Sequence, residues 1–182
     1  MSEARKSVAR TAEPIAIESE RFLLRPLTEA DATDRYLRWL ADENALRFIT
    51  AASSTNTLET LRRFVRERCD RSDVLFLGIF DRSNGLHIGN IKYEPMDSAK
   101  GYAVMGLLIG DSAYRGRGVA GEALEASAVW LRLHRGIRQI VLGVQKDNVP
   151  AIRAYEKSGF KIAFTPHIPN PADNALTMVR DL

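Results

Sequence analysis

Residues 114–121 read Tyr-Arg-Gly-Arg-Gly-Val-Ala-Gly, and the reading of this run decides how the rest of the chain is arranged. An apolar segment, Val104 to Ile109, comes before it and suits a buried strand. Glu122 to Leu131 comes after it and is rich in strong helix formers. A strand, a turn with spaced glycines and a helix start together make a place for a phosphate. The first amides of a helix lack internal partners and carry the positive end of the macrodipole. Gly116 and Gly118 let the backbone approach a ligand, because no Cβ stands in the way. Arg115 and Arg117 add positive charge beside it.

The spacing narrows the choice. A Walker-type loop needs Lys and then Ser or Thr after its last glycine, and Gly121 is followed by Glu122. Gly116, Gly118 and Gly121 do match the dinucleotide spacing Gly-x-Gly-x-x-Gly. That loop normally opens its domain, and here little chain is left for the βαβ units that should follow. A glycine-rich turn with solvated arginines is the plain alternative.

The whole chain bounds these readings. At 182 residues it suits one domain with a substantial core. Its 45% hydrophobic and 27% charged content is that of a globular protein. The net charge of +3 suits a polyanionic small ligand, and the arginines are too dispersed, without interleaved aromatics, to predict nucleic-acid binding. Cys69 is the only cysteine, so no intrachain disulfide can form, and its helical surroundings favour a packing role. His87, His134 and His167 are scattered without ligand spacing, so no metal is expected. No 18-residue apolar run or secretory segment is evident, so no membrane association and a cytoplasmic location are expected.

Residues 1–14 read as a polar, disordered tail and 15–182 as a single domain. Ile15 to Leu27 is strand-like and Pro26 closes it. Thr28, with Asp31 three residues on, is expected to cap a helix whose buried stripe is Ala30, Tyr36, Leu37 and Leu40. Asn56 or Thr57 caps a second helix through Arg68. Val74–Phe80 and Leu86–Tyr93 read as strands around an Asp-Arg-Ser-Asn-Gly turn, and Glu94-Pro95 breaks the second. Gly101–Ile109 is the strand that feeds the glycine loop. After the loop helix come a strand at Ile137–Val144, a short helix and two strands, Phe160–Phe164 and Asn174–Val179. This is an α+β order: one mixed, mostly antiparallel sheet flanked by helices.

Asn148 to Phe160 is the second informative run, Asn-Val-Pro-Ala-Ile-Arg-Ala-Tyr-Glu-Lys-Ser-Gly-Phe. Asn148 caps a short helix, Pro150 is tolerated in its first turn, and Gly159 closes it. This run resembles the signature Asn-x-x-Ala-x-x-x-Tyr-x-x-x-Gly-Phe of the GNAT superfamily of acyl-CoA-dependent N-acetyltransferases. Arg115 to Ala120 matches that family's Arg-x-x-Gly-x-Ala pyrophosphate loop, and the two motifs stand in the family's order. The resemblance runs from about Phe22 to the C-terminus. Phe22 to Ala32 looks like the opening of the branch that acetylates ribosomal-protein N-termini. Tyr36, Trp39-Leu40 and Ile88-Gly89-Asn90-Ile91 resemble relatives that act on amino-sugars instead.

The resemblance implies a fold with two splayed neighbouring strands, here Met105–Ile109 and Ile140–Val144, with acetyl-CoA in the gap. It implies that Leu107, Leu108 and Ile109 present backbone groups to the pantetheine arm. It implies further that Arg117, Gly118, Val119 and Ala120 hold the pyrophosphate, with Arg115 and Gly116 shaping the loop and Ala151 in the second motif beside the cofactor. Asn148 is a helix cap, a cofactor contact, or both. Tyr155 is the implied acid that protonates the departing thiolate, or else an ordinary packed aromatic. Relatives often carry a Glu base before the glycine loop, but Tyr102 to Ile109 holds no carboxylate. Glu94 and Asp97 are then the candidates, behind an amine that arrives neutral with a water relay. The implied activity is acetyl transfer to a primary amine, on a small molecule or a peptide, by direct attack. A silent acyl-CoA-binding module is the alternative. Homodimers are common in the family, and no residue here decides the matter.

Overall fold

The computed structural model describes residues 14–42, 57–169 and 172–182. Of the tail expected at 1–14, residues 1–13 lie outside the described residues, as does Asn56, expected as a cap. The stretch expected as one strand from Ile15 to Leu27 is two, β1 (Ile17–Glu18) and β2 (Phe22–Pro26), paired antiparallel. Ser19 makes the turn: its amide donates to the Phe22 carbonyl at 2.9 Å and its hydroxyl oxygen accepts from the Phe22 amide at 3.1 Å. These local bonds fold the chain back where alternation alone reads straight through.

Thr28 and Asp31 close on each other, with the Thr28 amide donating to Asp31 Oδ2 at 2.8 Å. They cap only a 3-10 turn, Glu29–Asp31. Helix α1 (Asp34–Leu40) starts afresh at Thr33, whose hydroxyl accepts from the Tyr36 amide. Its buried face is therefore Tyr36, Trp39 and Leu40, with Ala32 before it, and Ala30 is exposed. Helix α2 (Leu58–Cys69) is capped by Thr57 and buries Leu61 and Val65.

Strand β3 (Leu75–Asp81) leads to β4 (His87–Asp97) and β5 (Tyr102–Ile109). The break expected at Glu94-Pro95 is an irregularity in the register between Tyr93 and Met96, through which β4 continues. Proline offers no donor to a ladder, and a bulge is where a strand absorbs it. Helix α3 (Val119–Arg135) follows, then β6 (Gln139–Gln145), α4 (Val149–Lys157), β7 (Lys161–Ile162) and β8 (Ala175–Asp181).

The eight strands form one sheet in the order β1-β2-β3-β4-β5-β6-β8-β7, antiparallel at every junction except β5–β6, which is parallel. Two cores lie on its two faces. Helix α3 buries Val119, Ala123, Leu124, Ala128 and Leu131 at helical spacing against Ile91, Ala103, Met105, Ile140 and Leu142. Each fully buried leucine there stabilises the fold by roughly 1.5–3 kcal/mol. On the other face Tyr36, Trp39, Leu61 and Val65 of α1 and α2 pack on Phe76 and Phe80.

The pleat divides β5 between the faces. Ala103, Met105, Leu107 and Ile109 join the α3 core, and Leu108 joins the α1–α2 core. Gly106 shares the face of Leu108.

Candidate active site

The parallel junction between β5 and β6 is short. Tyr102, Ala103 and Val104 pair with Gln139, Ile140 and Val141, and the register ends there. Beyond Val104 the strands part, while β6 stays paired with β8 through Gln145 and β5 stays paired with β4 through Ile109. The parting is as expected for Met105–Ile109, but Ile140 and Val141 belong to the paired base of the wedge. One edge of β5 across Leu107, Leu108 and Ile109 is thus left without a strand partner. A Cβ built on Gly106 or Gly143 would meet no atom within 4 Å. Open space therefore flanks both arms of the wedge.

The glycine loop lies at the open end of β5. Asp111 accepts from the Ala113 amide at 2.9 Å and caps a 3-10 turn, Ser112–Tyr114. Arg35 of α1 pairs with the same carboxylate. The Arg115 guanidinium folds back onto the strand, donating to the carbonyls of Ile109 and Gly110 at 3.0 Å each. These two bonds hold the shape of the loop, while the residue remains exposed. Gly116 and Gly118 have φ of 71° and 77°, the left-handed region that a Cβ disfavours. Gly118 is the N-cap of α3 and has no side chain to satisfy the amides of Val119, Ala120 and Gly121. The resulting cradle is open, positively polarised and free of a built-in cap.

The acidic residue in that first turn is neutralised elsewhere. Glu122 accepts from the Arg21 amide and the Arg21 Nε, both at 2.7 Å, and from the Ser19 hydroxyl at 2.8 Å. Burial pushes its carboxyl up, but these donors outweigh burial and hold it below the usual carboxylate range. Arg21 also donates to the Arg117 carbonyl at 3.0 Å, so one side chain ties the loop to the helix start. Arg117 itself is exposed, its guanidinium 3.3 Å from the Ala113 carbonyl. Removing the Arg21 side chain, in Arg21→Ala, would loosen Arg117 and free the Glu122 carboxylate to oppose an anion. Calorimetry should then show coenzyme A binding about tenfold weaker, the worth of one charge-assisted hydrogen bond. An unchanged affinity would remove Arg21 from the support of the loop.

Helix α4 supplies the other flank. Asn148 caps it, with Oδ1 accepting from the Ala151 amide at 3.4 Å, so both residues are engaged with each other. Tyr155 and Ala151 pack on the core that also takes Leu107 and Ile109. The Tyr155 ring lies 5.8 Å from that of Phe160. Its hydroxyl has no hydrogen-bond partner among the described residues, and burial pushes the phenol up to about 12. It therefore stays protonated at any working pH.

Neither carboxylate considered as a base stands at the wedge. Glu94 is bound by Lys92, by Arg68 at 3.2 Å and by Arg71 at 2.6 Å. Burial raises its carboxyl, and the three cations more than reverse that. Asp97 accepts from the Lys100 amide and sits opposite Tyr102, at the closed end of β5. Cys69 Sγ donates to the Leu27 carbonyl at 3.1 Å, and burial raises its thiol, which makes it a poor nucleophile. Among the described residues no cluster of His, Cys, Asp or Glu could hold a metal, and no helix is long and apolar enough to cross a membrane.

One cluster was not legible in the sequence. His87 stacks on Phe80 with centroids 4.9 Å apart and meets Tyr36 and Trp39 edge-on at 5.6 and 5.0 Å. Its Nε2 lies 2.8 Å from Asn90 Oδ1 and 3.1 Å from the Gly89 carbonyl. The partners come from α1, β3 and β4, so no local spacing announces them.

The parted strands, the uncapped glycine loop and the capped helix beside them are compatible with coenzyme A in each part. Comparisons with known proteins agree. A curated mycothiol acetyltransferase from Corynebacterium glutamicum is 40% identical over 92 residues, half of this chain and 29% of that protein. The chain thus matches under a third of the length of that relative. RimL, a ribosomal-protein alpha-N-acetyltransferase solved with coenzyme A, superposes with a TM-score of 0.78 at 15% identity, over 92% of this chain and 98% of its own. AAC(6')-Ib, solved with parmomycin and acetyl-CoA, gives a TM-score of 0.70 at 20% identity, over 89% and 94%. At such identities the two structures speak for the fold. The model of the acetyltransferase (GNAT) domain family matches residues 21–161, most of the chain, and the protein belongs to that family.

Proposed function

We propose that this protein moves an acetyl group from acetyl-CoA to a primary amine by direct attack. The observation that carries the reading is the wedge between β5 and β6 with an uncapped helix N-terminus at its open end. Bound acetyl-CoA supplies a thioester, whose acyl carbon is open to a neutral amine. The amides of Arg117, Gly118, Val119 and Ala120 receive the pyrophosphate. The free edge of β5 at Leu107–Ile109 pairs with the pantetheine arm as a further strand would. An amide on that edge donates to the thioester oxygen as it gains charge, which is worth about 3 kcal/mol.

Tyr155 donates to the departing sulfur. A phenol held near 12 keeps its proton until negative charge builds against it. Tyr102 to Ile109 holds no carboxylate, and Glu94 and Asp97 are engaged elsewhere, so the amine arrives neutral or loses its proton to water. The structural relatives, one a ribosomal-protein acetyltransferase and the other solved with parmomycin and acetyl-CoA, support an amine on a peptide or an amino-sugar.

The test is free-thiol release from acetyl-CoA over a panel of N-terminal peptides, polyamines, aminoglycosides and amino-sugar nucleotides. Release on at least one amine is expected. Coenzyme A binding without release on any of them would favour a silent module, and no binding would overturn both readings.

A further inference from the structure

With acetyl-CoA in the wedge, one face of the sheet stays open to the second reactant. Tyr155 and Ala151 of α4 pack with Leu107 and Ile109 on the α3 core, so that face is covered. An acceptor must come from the α1–α2 face, where Gly106 stands exposed and an added Cβ would meet nothing within 4 Å. The residue directly opposite Gly106 is Lys92 of β4. Its neighbours Ile91 and Tyr93 join the α3 core, so the pleat sends Lys92 to the same face as Gly106. The Lys92 ammonium accordingly lies 5.8 Å from the centroid of the Phe64 ring of α2. Side chains directly opposite in a ladder start ~5 Å apart. Glycine places none between Lys92 and the open wedge.

Lys92 belongs to a cluster with positive charge to spare. Glu94, two residues on toward the closed end, has both oxygens taken: Oε1 by Arg71 at 2.6 Å, Oε2 by Arg68 at 3.2 Å and by Lys92. Arg71 also holds Asp73. Three cations thus stand against two carboxylates, a surplus of one positive charge. Donors are left over as well. An ammonium carries three N–H groups, and Glu94 is the only acceptor bound to Lys92 among the described residues. Arg68 gives Nε to Glu94 and Nη1 to the Phe64 carbonyl, and its Nη2 has no acceptor among the described residues. Both side chains are reachable, with 26% of Lys92 and 24% of Arg68 exposed. Across the same face Tyr102 carries the stacked ring of His167 at 3.6 Å, and Asp97 beside it is paired with Lys100.

We propose that the acceptor amine also carries an acid group, a carboxylate or a phosphate, which Lys92 receives beside Gly106 with Arg68 next to it. The inference rests on the amine-transfer reading above. A compact ammonium binds either group as a point charge, and the unspent donors of Lys92 and Arg68 supply charge-assisted hydrogen bonds. The class is an amine with an anion on the same molecule. An N-terminal peptide with a nearby acidic side chain fits it, and so does an amino-sugar nucleotide with its phosphates. Polyamines and aminoglycosides bring further cations to a cluster that is already positive, and like charges set against each other reject a partner.

The experiment compares each acidic amine with its uncharged counterpart, rates being kcat/KM referred to the neutral amine. One arm uses N-terminal peptides with Asp or Glu near the amine against the same peptides with Asn or Gln. The other uses amino-sugar nucleotides against the parent amino-sugars, so the two arms tell carboxylate from phosphate. The wild type should favour the acid about tenfold in one arm, the worth of one charge-assisted hydrogen bond. Raising the salt should narrow the gap, because both cations are partly exposed. Lys92→Met should bring the preference close to one, and Lys92→Arg should keep most of it. Glu94 retains Arg68 and Arg71 in both variants, so their melting curves should stay near that of wild type. Equal rates within both wild-type pairs would overturn the inference whether or not the variants fold. So would a preference for polyamines or aminoglycosides, or an acid preference that survives Lys92→Met. Failure of every amine in the panel would overturn the amine-transfer reading itself, and this inference with it.

Discussion

Gly106→Leu should fold normally and lose acetyl transfer. Gly106 is exposed, lies in an ordinary strand of eight residues, and has no positive φ. A leucine there strains no backbone, and its Cβ finds nothing within 4 Å. A glycine inside a strand weakens it, so stability should hold or rise slightly. The side chain would instead occupy the space beside the free β5 edge. Displacing reacting groups by an ångström can cost about 100-fold, and kcat/KM should fall by at least that factor with an unchanged melting curve. Gly106→Ala should fall between wild type and leucine. A Gly106→Leu variant of full activity would show that the space beside β5 is not where the reaction takes place.

The second large effect is expected of Tyr155→Phe. The ring keeps its packing beside Phe160, and the lost hydroxyl has no partner among the described residues, so the fold loses nothing. Turnover should drop about 100-fold, within the usual range for a positioned acid, while coenzyme A affinity stays the same. The pH profile adds a check on sign. The phenol acts in its protonated form, and burial moves its loss of that proton up to about 12. Activity should therefore climb as the amine deprotonates and then level off, with no alkaline fall until the pH nears that value. A descending limb near the ordinary tyrosine range would mean that the phenol is not buried as described.

What was legible in the sequence was local. Gly116 and Gly118 announce left-handed turns because glycine adopts them at no steric cost, and Asn148 announces a cap because its oxygen meets an amide three residues on. Two local readings went astray where a side chain bonded nearby backbone, and a third where a proline left the ladder. Ser19 turned one strand into two, Thr28 with Asp31 closed a single turn and not a helix, and β4 absorbed Pro95 in a bulge. The wedge between β5 and β6 came only from the family resemblance, since nothing in either strand says where their pairing stops. The His87–Asn90 cage was invisible, because it exists only once α1, β3 and β4 are brought together.

The central claim is that coenzyme A lies along the free edge of β5 with its pyrophosphate on the start of α3. Amide hydrogen exchange with and without coenzyme A tests it directly. The account predicts slowed exchange at Leu107–Ile109 and at Arg117–Ala120, and little change along β1 to β3. Binding that protects other segments and leaves these two unchanged would contradict it.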